Sequence, residues 1–250
     1  MGDRSSVRRT TRAHAPPGPA AAPGAQGRRR RPLTRERIVA AALALVDDGG
    51  LAGLSFRRLG AKLGCEAMSL YHHFPGKQHL LDALVDHAIA SIEMPPAGPD
   101  PVERLVRAAY AYRAMARRHP RLFPLVGLHR LNTPTGVRFI EAVLALTEAV
   151  VGDRERSARG FRALGYYLMG AALDETSGYA LGPSAAEPVD DAYIAEHCPR
   201  LAAAAPYFGQ AHWDRTFALG LAALIDGMRS APRSHPATAG LPRHPAVAVG

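Results

Sequence analysis

Two lysines are all the chain has, Lys62 and Lys77, and both fall in one stretch with Arg57, Ser69, Tyr71, His72 and His73. Ser69 and Tyr71 carry hydroxyls that hydrogen-bond a phosphate or a base edge. Arg57 has the reach and the fork for a phosphate or a guanine edge. Lys77 falls where a helix should begin, so its charge adds to free N–H groups that attract phosphate. Other constellations are poorer in chemistry. His79 with Asp82 and Asp86 makes no metal set, and the adjacent His197 and Cys198 have poor ligand spacing. Asp174 and Glu175 are neighbours, which diverge by ~100° on a helix and so do not form an acid–base pair. There is no glycine-rich phosphate loop and no nucleophile elbow. No catalytic set, metal or cofactor is expected.

The elements that position this stretch follow from its caps and spacing. Ser55 is a good N-cap, and Phe56, Leu59 and Leu63 recur at helical spacing behind it. Gly64 stands where a left-handed C′ residue ends a helix. A second short helix is expected from about Ala67 to His73, burying Leu70 and Phe74. Gly76 then precedes a longer helix that begins at Lys77. Two short helices with a glycine turn between them match the helix-turn-helix pattern, whose second helix enters the DNA major groove.

The run Leu63-Gly-Cys-Glu-Ala-Met-Ser-Leu-Tyr-His-His-Phe-Pro-Gly-Lys77, followed by Leu80-Leu-Asp-Ala-Leu84, resembles the DNA-binding domain of the tetracycline-repressor (TetR) family. The resemblance covers Thr34 to Ile92, with Leu70, Tyr71, His73, Phe74 and Lys77 its most diagnostic residues. It implies that Ala67, Met68, Ser69 and His72 face the groove, while Tyr71, His73 and Lys77 hold the backbone. Two departures stand out. Glu66 occupies an N-cap position where many relatives have Ser or Thr, putting a carboxylate near DNA unless it caps the helix. Ala67 replaces a long polar base-reader, so direct readout is sparse. Glu93 stands where tetracycline repressors have a drug-contacting histidine, which argues against tetracycline.

The 250-residue chain is 47% hydrophobic, enough for a sizeable core, and has no apolar run near the ~18 residues of a membrane span. No secretory signal is read at the N-terminus, and with only two cysteines a reduced, cytoplasmic protein without disulfides is expected. The net charge of +9 lies mainly in residues 1–32, with eight arginines and one aspartate. That basic tail and the Pro/Arg/His tail 230–250 are expected to be disordered. In the tail, Arg28 to Arg31 stand ready to touch phosphates or the minor groove. The segment 33–93 has six Lys/Arg against seven Asp/Glu, so DNA binding there depends on local placement.

The helix-turn-helix domain is expected over 33–93, with Thr34 as the first N-cap and a connector helix from Lys77 to about Glu93. Pro95 to Pro101 marks a boundary. Beyond it, helices are expected at Val102–Arg118, Pro120–Leu131, Thr135–Val151, Arg154–Ala180 and Trp213–Arg229, with one short helix near Asp190–Cys198. The fold class is therefore all-α: an N-terminal three-helix reading domain and a C-terminal helical domain over 101–229. The resemblance implies that this second domain binds a ligand and forms a homodimer through its two long late helices. Gly165, Phe217, Leu221 and Leu224 are expected at that interface, with Gly160, Gly165 and Gly170 allowing close approach. Tyr110, Met115, His129, Asn132, Tyr167 and Met169 are expected to contact the ligand, with Tyr112 and Tyr166 in the same group, because hydroxylated aromatics and flexible Met suit an adaptable pocket. The function expected is a non-enzymatic repressor, released from a palindromic double-stranded DNA operator by a small, mostly apolar effector. The alternative is a regulator of the same fold that binds no small molecule.

Overall fold

The computed structural model describes residues 32–177 and 185–230; most of the two tails and the last turn expected after Ser177 lie outside the described residues. Eleven α-helices and no strand are found among the described residues. The reading head comprises α1 (Arg35–Gly49), α2 (Phe56–Leu63), α3 (Ala67–Tyr71) and α4 (Lys77–Ala90). The regulatory part comprises α5 (Pro101–Arg118), α6 (Phe123–Leu128), α7 (Pro134–Val151), α8 (Arg154–Ser177), α9 (Asp191–His197), α10 (Pro199–Ala204) and α11 (Trp213–Ser230).

Caps set most of these boundaries. The hydroxyls of Thr34, Ser55 and Thr133 accept from the N–H groups of Arg37, Arg58 and Gly136, and the Asp100 carboxylate accepts from Val102 and Glu103. Gly64 ends α2 at φ 69°, ψ 35°, the left-handed conformation that glycine adopts without cost. The connector α4 stops three residues short of the expected Glu93. The Ser91 hydroxyl turns back to the Ala88 carbonyl at 2.7 Å, and the chain then runs toward Pro95. Helix α6 is likewise shorter than expected at both ends. Leu128 at its end is 80% exposed, so its side chain adds no packing that would extend the helix. The proline at 199 starts α10, which was not expected; neither α9 nor α10 buries a residue.

From Thr34 on, the described residues belong to one compact unit, and the head is joined to the regulatory helices through α4, which packs on α6 and α7. The head has its own apolar centre around Ile38, Leu59, Leu70, Phe74, Leu80 and Leu84, all at most 1% exposed. Leu63 and Leu81 are half-buried. The larger core lies among α5, α7, α8 and α11, with Leu105, Leu146, Leu164, Phe217, Leu221 and Ile225 buried. A buried ionic pin crosses it. The Arg113 guanidinium forks onto the Glu175 carboxylate at 2.6–3.0 Å, reaches Asp214 at 2.9 Å and lies 4.3 Å over the Phe217 ring. Those contacts tie α5 to both α8 and the first turn of α11.

Candidate DNA-reading surface and effector cavity

Helix α3 is five residues long, too short to persist in water by itself. It is held by Leu70 and, just beyond it, Phe74, both fully buried. The α2–α3 turn closes on Gly60: a Cβ there would stand 2.7 Å from the Cys65 carbonyl oxygen, and the Cys65 N–H donates to the Gly60 carbonyl at 3.0 Å. Arg35 anchors the far end of α3, donating to the His73 carbonyl while its guanidinium lies 4.2 Å over the Phe74 ring.

These supports leave one face of α3 open. Met68 is 70% exposed and Tyr71 43%, with the Tyr71 ring 4.5 Å from that of Phe56. His72 is exposed; Ala67, Ser69 and His73 are half-buried. Arg57 and Lys77 are exposed in the first turns of α2 and α4, whereas Arg58, next to Arg57, is tied to the Gly53 carbonyl at 2.9 Å. Gly76 supplies no side-chain cap, so the N–H groups of α4's first turn remain available to an outside acceptor beside Lys77. Glu66 stands at the N-cap of α3, exposed, and makes no side-chain capping bond.

A cavity of about 380 Å³ opens among α5, α6, α7 and α8. Of the residues expected to contact a ligand, His129 and Met169 line it, and Tyr110, Met115, Asn132 and Tyr167 do not. Met115 is buried elsewhere at 1% exposure, and Asn132 is exposed in the turn before α7. Tyr110 sets its edge on Phe217 on another face of α5, and the Tyr167 hydroxyl donates to the Phe217 carbonyl at 2.7 Å. Tyr112 and Tyr166, named in the same group, do line the cavity, with Phe139 and Phe161. Burial pushes the Tyr112 hydroxyl up to about 12.

The cavity wall is wired to the reading head. One ring nitrogen of His129 meets the Asp82 carboxylate of α4 at 3.0 Å, and the other meets the Arg130 carbonyl at 3.0 Å. Burial works against the Asp82 charge, but hydrogen bonds from His129 and Gln78 outweigh it and hold that carboxyl below its ordinary value. The Thr133 hydroxyl donates to Asp86, one turn further along α4. His119 contacts Asp47 at 3.1 Å, and Arg121 donates to the Asp48 carbonyl at the end of α1. His129 and Thr133 each lie 47 residues from their partners, so no local pattern marks these links.

The expected interface residues also fall differently. Phe217 and Leu221 are 2% exposed within a single chain because they fill its own core, and Leu224 is half-buried. Gly160 makes the close approach expected of it, but within the chain, to Met228 of α11 and Thr147 of α7; Gly165 and Gly170 face open space. The outer faces of α8 and α11 form a shallow groove lined by Tyr166, Gly170, Leu219, Gly220 and Ala223, with Tyr166 60% and Leu219 73% exposed. Among the described residues no group of three His, Cys, Asp or Glu side chains is placed to hold a metal ion, and no helix is long and apolar enough to cross a membrane.

Comparison with known proteins agrees with this architecture. Residues 38–84 match the model of bacterial regulatory proteins, tetR family, and residues 95–231 match the tetracyclin repressor-like C-terminal domain. The chain is 34% identical over 145 residues to the HTH-type transcriptional repressor DrrR1 of Streptomyces coeruleorubidus, covering 57% of this chain and 54% of that one. It is 31% identical over 208 residues to the class A tetracycline repressor of transposon 1721 from Escherichia coli, covering 78% of this chain and 90% of the repressor. The crystal structure of the Streptomyces coelicolor TetR family protein ActR with actinorhodin superposes with a TM-score of 0.64 at 28% identity, covering 79% of this chain and 96% of ActR. A helix-turn-helix head on a helical regulatory domain, matched by family models along both parts, makes this chain a member of the TetR family of DNA-binding transcriptional regulators.

Proposed function

We propose that the protein is a homodimeric repressor released from a two-fold operator by a small, mostly apolar ligand in the cavity. The observation that carries this reading is His129, which lines the cavity and at the same time hydrogen-bonds Asp82 of α4. Helix α4 begins at Lys77, beside the reading helix. A ligand that moves His129 therefore acts on the element that orients the head. Met68, Ser69 and His72, with Ala67 offering a methyl, are the residues proposed for the groove. Arg57, Tyr71, His73 and Lys77 are proposed for the DNA backbone. ActR, which resembles this chain in fold and sequence, was crystallised with a small molecule, and that supports reading the cavity as an effector site.

Two arrangements of α4 relative to α6 are required, and the ligand must prefer one of them. The expected coupling of about 1–3 kcal/mol corresponds to roughly a 5- to 150-fold loss of operator affinity. A compound library scored in parallel for thermal stabilisation and for operator release by fluorescence anisotropy tests this. Releasing compounds are expected to bind the Asp82→Asn variant still but to shift its DNA affinity less. Compounds that stabilise the protein and never alter DNA binding would establish the ligand-blind regulator instead.

A further inference from the structure

The polar groups around the cavity are donors, and no Asp or Glu lines it. Tyr112 stacks at 6.4 Å on Phe139 and sets its edge on Phe123, while its hydroxyl has no hydrogen-bond partner among the described residues. With its hydroxyl pushed up to about 12, Tyr112 stays a protonated donor at neutral pH. Both nitrogens of His129 are already engaged, by Asp82 and by the Arg130 carbonyl. Two further lining residues, Arg130 and Arg162, are exposed, and neither has a carboxylate within ion-pair distance among the described residues. The Arg162 guanidinium is held 4.7 Å over the Tyr166 ring and donates to its hydroxyl at 2.8 Å, which fixes it at the rim of the cavity.

A purely apolar occupant leaves the Tyr112 hydroxyl unpaired and brings low-dielectric material against two cations. A cationic occupant meets two like charges. An acid whose body carries a further oxygen acceptor satisfies all three groups at once, and the guanidinium fork matches a carboxylate in two parallel hydrogen bonds. We propose that the cavity takes a flat, mostly apolar carboxylic acid, its aromatic body against Tyr112, Phe139 and Phe161. An oxygen acceptor of that body lies within reach of the Tyr112 hydroxyl, and the carboxylate is held at the rim by Arg130 and Arg162. This ligand class rests on the reading of the cavity as the effector site.

Three probes of one shape test it on the full chain: anthraquinone-2-carboxylate, its methyl ester and 2-(aminomethyl)anthraquinone. Calorimetry measures binding, and operator release is scored separately. The acid is expected to bind about tenfold more tightly than the ester, and the amine most weakly. The acid's advantage should shrink as salt is raised. It should also fall in Arg130→Ala and in Arg162→Ala, and be partly retained in Arg162→Lys. Both arginines are exposed, so these variants are expected to keep the wild-type melting temperature. Tyr112→Phe should weaken acid and ester alike, since it removes a contact to the shared quinone oxygen.

An ester or amine that binds as tightly as the acid overturns the proposal. So does an acid preference that survives in both arginine-to-alanine variants, or no binding by any of the three. The two readings fail separately. An acid that binds with the expected preference but leaves the operator bound removes the effector reading and keeps the ligand class. An ester that releases the operator as well as the acid does the reverse.

Discussion

At the scale of single residues, the reading head holds one charge in conflict with its proposed DNA-binding role. Glu66 precedes α3 where a side chain normally satisfies a free N–H, yet it makes no such bond and leaves an exposed carboxylate at the start of the helix proposed to read DNA. Threonine there caps the helix and removes a charge that repels phosphate. Glu66→Thr is therefore expected to tighten operator binding by about fivefold, and Lys77→Ala to weaken it. The two changes differ in their salt dependence. Loss of Lys77 removes one released counterion and should lower the salt slope by about 1. Anisotropy titrations over a series of salt concentrations read both effects. An unchanged slope in Lys77→Ala would take that residue off the phosphate list, and weaker binding by Glu66→Thr would mean that the carboxylate serves the complex. Gly60 is constrained for a different reason, the 2.7 Å approach of the Cys65 carbonyl, and belongs to the turn rather than to DNA.

At the scale of elements, polar tethers join helices that the sequence pattern alone does not connect. The Asp82 carboxyl sits below its ordinary value: burial opposes its charge, and the His129 and Gln78 hydrogen bonds more than compensate. The Asp214 carboxyl is lowered by the hydrogen bond and charge of Arg113. A carboxyl depressed in the folded state contributes stability that is complete above its unfolded value, ~3.9, and that is lost as pH falls through the folded value. Thermal stability is thus expected to be flat with respect to both groups from neutrality to about pH 5 and to fall below about pH 4. In Asp82→Asn and Asp214→Asn that acid-side fall should be shallower. Melting curves at half-unit pH intervals decide it, and an acid limb identical to wild type in both variants would exclude these tethers as its source. The reading head was legible because its signals are local: Thr34, Ser55, Gly64 and Gly76 sit at the ends of their helices, with apolar residues three and four apart between them. The cavity was legible only in part. Tyr110 and Tyr112 lie two residues apart on α5 and fall on different faces of it, so residue type named both rings and could not say which one lines the cavity. Asp82 and His129 meet across 47 residues, a relation set by how α4 packs on α6.

At the scale of the whole molecule, the proposed dimer depends on which face of α11 meets a second copy. Phe217, Leu221 and Ile225 recur every four residues, and that period marks an apolar stripe without saying whose core it fills. They are buried in the chain's own core at 2% exposure each, so the stripe is already occupied. The opposite side carries Leu219, 73% exposed, beside Tyr166 and Gly170 of α8, an apolar surface with small residues that let helices approach. The proposed two-fold pairing across this groove would set two reading heads on one face of the duplex, about 34–36 Å apart in successive turns. Substitution at the two neighbouring leucines should then separate folding from assembly. Leu219→Glu is expected to keep the helical circular dichroism while shifting the sedimentation coefficient to that of a monomer. Its operator affinity should fall about a hundredfold or more, because the second head is no longer held at high effective concentration. Leu221→Glu buries a charge in the core and should unfold the regulatory helices instead. A Leu219→Glu protein that still sediments as a dimer would move the interface off this groove. A monomeric one that protects a two-fold site at wild-type affinity would separate DNA reading from dimerisation altogether.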